Sequence, residues 1–303
     1  MAGRFVAFVA VVAAVLVGAF WIITRPAETA SGGLPERAPD LENGRRVFFA
    51  GGCAACHATP NQEERTRLGG GLALKSPFGT FFVPNISSDP RDGIGAWSEA
   101  QFLAAMVKGV SPAGEHLYPA FPYAAYQRAR QDDLRDLFAF LKTLPPVAGR
   151  PPDHDLRFPF SVRRAIGLWK WLYLDGKPFV PDPNRSPEWN RGAYLVESLA
   201  HCAECHSGRD PLGGINPGQR FAGGPNPEGE GWVPNITQAS LREWTVDDIR
   251  ELLSSGMTRE GETVGGSMRA VVRNMAELPE ADRRAIAVYI KSLPPAVGPA
   301  PPQ

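Results

Sequence analysis

The sequence predicts an all-α protein, two tandem helical domains preceded by one N-terminal transmembrane helix. Three observations carry this expectation. Residues Phe5 to Ile23 form an uncharged run of 19 residues, the two halves of the remaining chain repeat one another, and each half places helix start and stop signals at matching points.

The apolar run lies between Arg4 and Thr24-Arg25-Pro26, and at ~1.5 Å per residue it is just long enough to span a bilayer. A cleavable signal has a shorter core of ~7–15 residues and a small-residue cleavage site. Here the nearest candidate cut, after Ala30, has Glu28 three places before the junction, so residues 1–24 read better as a retained anchor. Residues 25–40, rich in Pro, Gly and Ala, read as a flexible tether.

The repeat then begins. Asn43-Gly44-Arg45 leading to Cys53 matches Asn190-Arg191-Gly192 leading to Cys202, and Phe82-Val83-Pro84-Asn85-Ile86-Ser87 matches Trp232-Val233-Pro234-Asn235-Ile236-Thr237. Leu141-Lys142-Thr143-Leu144-Pro145-Pro146 matches Ile290-Lys291-Ser292-Leu293-Pro294-Pro295, and the interval from His57 to Pro145 equals that from His206 to Pro294. A duplicated domain explains this, with boundaries at 41–146 and 188–297, a linker over 147–187 and a tail over 298–303.

Within each unit the helices follow in order. A leading helix is expected over Leu41–Cys53, carrying Val47, Phe48 and Phe49 inward, and another over 190–202 with Tyr194, Leu195 and Leu199. Ser98 with Gln101 forms a capping box for a helix through Val107, and Thr245 with Asp247-Asp248 opens its counterpart. Closing helices run from about Asp132 to Leu144 and Glu280 to Leu293, acids first, lysine late, then a Pro-Pro stop. No strand pattern stands out.

All four cysteines fall in two pentapeptides, Cys53-Ala-Ala-Cys56-His57 and Cys202-Ala-Glu-Cys205-His206. Cys-x-x-Cys-His is the attachment motif of c-type haem: two thiols bond the haem vinyl groups and the adjacent imidazole is held against the iron. A four-cysteine zinc site would leave both histidines without a reason. Paired disulfides of the thioredoxin kind would want a βαβ context that the helical flanks do not offer. The expected cofactors are therefore two covalently bound haem c, with His57 and His206 as proximal ligands.

The sixth ligands are read from the distal loops. Aligning Gly109 with Gly256 sets Met268 opposite Phe121, and Gly265-Gly266 before Met268 would let it approach a flat haem face; Met275 is the reserve. The first half has Phe121 where the second has methionine. His116, Met106 or an open iron remain for that haem, with His116 preferred; His154 and His201 are assigned to neither iron. The linker cluster Arg157-Phe158-Pro159-Phe160 through Trp169-Lys170-Trp171 reads first as a wrap between domains and second as a docking or propionate-binding surface.

With 32 basic and 32 acidic residues the chain has no formal net charge, and nothing points to nucleic acid. With 32 glycines and 30 prolines, each unit of about 100 residues has a thin apolar core that a buried haem would complete. On these features the chain resembles tandem class I cytochrome c domains. From Gly44 to Pro295 it further resembles the multihaem cytochrome c subunits of periplasmic alcohol and aldehyde dehydrogenases and molybdenum-dependent oxidoreductases. The stretches that carry this are Gly114-Glu115-His116-Leu117-Tyr118-Pro119-Ala120-Phe121-Pro122-Tyr123, Phe158-Pro159-Phe160 with Trp169-Lys170, Arg191-Gly192-Ala193-Tyr194-Leu195-Val196 and the Met268 loop. In that family the Phe121 position often carries Met, and a third haem domain is common; this chain has Phe and two motifs. The resemblance implies an electron-transfer subunit rather than an enzyme, anchored in the bacterial inner membrane with its haems facing the periplasm. It would accept electrons from a dehydrogenase and pass them to a quinone, a soluble cytochrome or a terminal oxidase. A dihaem peroxidase with a catalytic first haem is the rival, and thiolate-ligated haem is excluded because no fifth cysteine exists.

Overall fold

The structure is a computed structural model, and it describes residues 2–27, 35–229 and 231–301. Helix α1, Ala2–Ile23, is 22 residues long, roughly 33 Å at 1.5 Å per residue, and apolar enough to cross a membrane. Part of the expected tether, 28–34, including Glu28 and Ala30, lies outside the described residues.

Two helix pairs organise the rest. In the N-terminal half α2 (Leu41–Ala50), capped by Asp40, buries Val47, Phe48 and Phe49 and crosses the closing helix. There Gly44 lies so close to the Asp136 carbonyl that a Cβ would overlap it. The haem-motif turn α3 (Cys53–His57), then α4 (Glu99–Lys108), α5 (Tyr123–Tyr126) and the closing helix α6 (Gln131–Thr143) complete this half. After the linker helix α7 (Ile166–Tyr173) the C-terminal half repeats the plan with α8 (Pro187–Tyr194), α9 (Val246–Ser255), α10 (Met268–Met275) and α11 (Glu280–Lys291). Here Gly192 is pressed against the Ala285 carbonyl of α11 in the same way.

The expected caps are present as full capping boxes, Ser98 with Gln101 and Thr245 with Asp248. The late lysines bind loop carbonyls: Lys142 reaches Gly95 and Trp97, and Lys291 reaches Leu241 and Arg242 at 3.0 and 2.8 Å. These bonds tie each closing helix to the segment before α4 or α9.

Two expectations need correction. The leading helices do not run on to the cysteines: α2 stops at Ala50 because Gly51-Gly52 follow, and α8 gives way to a π-helical turn, Leu195–Leu199. Strands are also present. β1 (Ala73–Ser76) and β2 (Gly79–Phe82) form an antiparallel hairpin with Ala73 opposite Phe82, and β3 (Asp155–Leu156) joins through Gly79 opposite Leu156. In the second half β4 (Gly224–Pro225) pairs with β5 (Trp232–Val233). Strands of two to four residues are too short to show a period-two pattern. The observed class is thus helical with two small sheets, not purely α.

The halves pack reciprocally. α5 of the first rests on the π turn of the second, while α10 of the second rests on α2 and α3 of the first. Arg45 pairs with Glu277 at 2.6 Å across this contact, and the Arg130 amide donates to the Tyr194 hydroxyl at 3.1 Å. The linker wraps both halves: Lys170 donates from Nζ to the carbonyls of Lys108 and Gly109 at 2.7 and 2.6 Å, capping α4, and the Tyr173 hydroxyl donates to Asp210 at 2.7 Å. Burial pushes the Lys170 ammonium down to about 7.

Asp136 joins the start of the first half to its end. It accepts from Arg37 at 2.6 Å, the Asp40 amide at 2.9 Å and Asn43 at 2.9 Å. Burial alone would raise its carboxyl, but the bonds from Arg37, Asn43 and Asp40 outweigh this and hold it below the usual range. A folded-state value below the unfolded one stabilises above ~3.9, and the contribution disappears as pH falls through the folded value. The stability difference between wild type and Asp136→Asn, measured by denaturant titration, will therefore shrink as pH is lowered below about 4.

Candidate haem-attachment sites

The two motifs sit in equivalent frames. The first residue before each cysteine pair is left-handed, Gly52 at φ 62° and His201 at φ 40°. All four thiols are free, and burial pushes Cys53, Cys202 and Cys205 up to about 12 and Cys56 to about 11, so they remain neutral at ordinary pH. After burial, the charge of the half-buried Glu228 adds to the upward push on both Cys56 and Cys205.

The histidine of each motif is held by the duplicated Val-Pro-Asn-Ile stretch. His57 Nδ1 lies 2.8 Å from the Pro84 carbonyl, and His206 Nδ1 lies 2.8 Å from the Pro234 carbonyl. A carbonyl accepts only, so Nδ1 must carry the proton, which leaves Nε2 as a lone-pair donor. Burial reinforces neutrality, pushing His57 down to about 4 and His206 in the same direction.

Backbone bonds place those carbonyls. The amides of Gly70 and Gly223 donate to the carbonyls of His57 and His206 at 2.9 and 2.8 Å, and those of Ile86 and Ile236 donate to Leu68 and Phe221 at 3.0 and 2.9 Å. Gly70, at φ 68°, leaves no room for a Cβ against the Pro84 carbonyl. Asn85 Nδ2 then donates to the Val147 carbonyl at 2.7 Å, and Asn235 Nδ2 to the Ala296 carbonyl at 2.8 Å, fastening each stretch to the chain beyond the closing helix. The sequence showed these asparagines only as markers of the repeat. Paired neutral thiols with an adjacent imidazole whose Nδ1 is held and whose Nε2 keeps its lone pair are the donor set that covalent haem needs.

The distal candidates fare differently. Met268 opens α10 and is partly buried against the core; Met275 is fully buried at its end. Met106 is buried on α4 in the core cluster that also holds Ala54 and Tyr126. His116, preferred from sequence for the first iron, is turned to another partner: its Nε2 lies 2.8 Å from the Thr24 carbonyl, and Lys170, Arg164 and Arg163 are the charges that reach it. The ring lies at the foot of α1, and an antiparallel bridge pairs His116 with Val110 after α4. Phe121, where methionine was missing, packs on Tyr126 at 5.7 Å.

Sequence reading also passed over a bridge between the motifs. The Tyr126 hydroxyl donates to the Gly51 carbonyl at 3.0 Å, His201 Nε2 lies 3.3 Å from the same oxygen, and the two rings meet edge to face at 5.6 Å. His201 holds a left-handed backbone that costs a non-glycine residue roughly 1–2 kcal/mol. The adjacency of His201 to Cys202 was the available signal.

A mainly helical fold built on two such frames is that of a c-type cytochrome carrying covalent haem for electron transfer. The cytochrome c family model matches residues 41–145. The chain is 49% identical over 257 residues to a diheme cytochrome c-type protein of Cereibacter sphaeroides, covering 84% of this chain and 86% of that protein, and it belongs to that dihaem cytochrome family. It is also 37% identical over 261 residues to the fructose dehydrogenase cytochrome subunit of Gluconobacter japonicus, and 34% identical over 270 residues to the cytochrome c subunit of a quinone alcohol dehydrogenase of Gluconacetobacter polyoxogenes. In both cases 84% of this chain is covered, but the match spans only 53% and 56% of those proteins.

Proposed function

We propose that the chain is a membrane-anchored dihaem electron carrier that accepts electrons from a periplasmic dehydrogenase partner and delivers them to the respiratory chain, through a quinone, a soluble cytochrome or a terminal oxidase. The observation that carries this reading is the reciprocal packing of the halves, which brings His201, next to the second attachment motif, to 3.3 Å from the Gly51 carbonyl beside the first. Relatives named as cytochrome subunits of fructose dehydrogenase and of quinone alcohol dehydrogenase support a dehydrogenase partner. In this reading 41–146 and 188–297 are two class I cytochrome c domains, 147–187 joins them, and α1 sits in the bacterial inner membrane.

The bound haems supply reversible one-electron iron chemistry. The chain's residues do the rest. Cys53, Cys56, Cys202 and Cys205 would hold the porphyrins; Pro84 and Pro234 orient His57 and His206, which would face the irons; and buried apolar side chains would keep water away and so tune the potentials. Met268 would serve the second iron. For the first, the position of His116 leaves Met106, the single internal methionine of that half, as the sulfur donor.

Near-infrared magnetic circular dichroism of the oxidised holoprotein tests the reading. Two His/Met haems are expected, one signal lost in Met106→Leu and neither altered in His116→Ala. A bis-histidine band lost in His116→Ala would restore His116 to the iron. A stable high-spin haem in the wild type would move the peroxidase reading to first place.

A further inference from the structure

The foot of α1 is bolted to the linker. Thr24 is fully buried; its hydroxyl accepts from Arg164 Nε at 2.9 Å and its carbonyl accepts from His116 Nε2 at 2.8 Å. Arg164 also donates to the Trp21 carbonyl at 2.6 Å and lies 4.6 Å from the centroid of the Trp21 ring. Arg163 in turn donates to the His116 carbonyl at 3.0 Å. Gly167 receives the Thr24 backbone so closely that any side chain there would collide with it. The anchor helix therefore leaves no swivel between itself and the linker.

Around this joint the linker is apolar and bare. On α7, Lys170 and Gly167 are buried, whereas Leu168 is 40%, Trp171 76% and Leu172 54% exposed. Residues four apart share a helix face, so Trp171 stands one turn, about 6 Å, from Gly167 on the side where Thr24 is seated, and Leu168 and Leu172 flank it. Phe158, 84% exposed, and Val162, 41% exposed, extend the surface before the helix, with the exposed Arg157 next to Phe158. Leu212 of the second half joins it, held by Trp169 Nε1 donating to its carbonyl at 3.1 Å.

Large apolar side chains left exposed together along one segment mark a contact. Which contact follows from the joint: if α1 spans a bilayer, Thr24 lies at its interface, and a rigid surface one helical turn away lies at the same depth. Tryptophan and phenylalanine beside arginine are the side chains that partition to the headgroup region, where rings bury and guanidinium groups meet anionic lipid phosphates.

We propose that residues 157–172, with Leu212, form a second membrane contact, an interfacial face that lies on the bilayer beside α1 and holds the haem-bearing halves at one height and tilt. The proposal rests on α1 being a membrane anchor. It assigns His116, Arg163 and Arg164 as positioning residues of the joint.

The test uses the full-length holoprotein in vesicles of phosphatidylethanolamine and phosphatidylglycerol. With the four native cysteines bonded to haem, Trp171→Cys, Val11→Cys and Val297→Cys each provide one free thiol for a nitroxide label. Depth is read from the ratio of spin relaxation by oxygen to that by a water-soluble nickel chelate. Val297, 86% exposed and far from the joint in sequence, supplies the water reference. We expect the Val11 label to be deep in lipid and the Trp171 label to show a ratio several-fold above the Val297 value but below that of Val11. Trp171 matching Val297 while Val11 is in lipid overturns the surface contact and leaves the anchor standing. Val11 matching Val297 removes the anchor, and the proposal with it.

Discussion

Gly192→Ala will lower the unfolding free energy of the holoprotein by roughly 3 kcal/mol, at the upper end of overpacking effects. Gly192 is where the leading helix of the second half crosses α11, and the hydrogen that replaces a side chain there faces the Ala285 carbonyl. An added Cβ would overlap that carbonyl and press on the Tyr289 Cβ, 2.9 Å away. Because the obstacle is helix backbone, no rotamer change relieves it, and α8 must move off α11. Helix propensity acts in the opposite sense, favouring alanine over glycine by about 1 kcal/mol, so a net loss isolates the close approach. Gly44→Ala should behave alike against the Asp136 carbonyl. Gly218→Ala is the control, since its Cβ would meet only Asn216 Oδ1 at 3.5 Å. Guanidinium unfolding of the three variants decides the matter, and the crossing argument fails if Gly192→Ala is as stable as Gly218→Ala.

Met268→His is expected to lower the midpoint potential of one haem by on the order of 0.1–0.3 V, a fraction of the roughly 0.8 V span over which axial ligands move haem potentials. The thioether favours the reduced iron, whereas a second imidazole is a stronger donor and favours the oxidised one. Met268 begins α10 after Gly265-Gly266-Ser267; Gly266 is left-handed at φ 53°, and Gly265 and Gly266 both have open space where side chains would stand. The segment can therefore present its first side chain without crowding. Met275→Leu, seven residues on and fully buried, should leave both potentials near wild type while costing packing. Spectroelectrochemical titration distinguishes the two. Unchanged potentials in Met268→His, with one lost His/Met signal in Met275→Leu, would transfer the assignment to Met275.

Much of this arrangement was legible because its signals are local. Cys-x-x-Cys-His puts three haem-binding groups within five residues, Ser98 and Thr245 announce helices through bonds that span three residues, and the matched intervals reveal the duplication without any structure. The short strands were not legible, since two to four residues carry no periodicity. Nor was the end of the leading helices, where Gly51-Gly52 in one half and a π-helical turn in the other replace a continuous run. His116 shows the other limit. An isolated histidine opposite a missing methionine reads as a ligand, yet its partner, the Thr24 carbonyl, is 92 residues away in the chain.

By itself the sequence determined the cofactor chemistry, the two equivalent halves, the capped starts of α4 and α9 and the membrane-length helix, because each depends on side chains near one another along the chain. Only the tertiary structure decided what faces what. It set the histidines against Pro84 and Pro234, placed His201 and Tyr126 between the motifs and seated Thr24 on the linker. Each of these depends on long-range packing, in which a partner is chosen by shape, burial and unsatisfied hydrogen-bonding groups rather than by spacing.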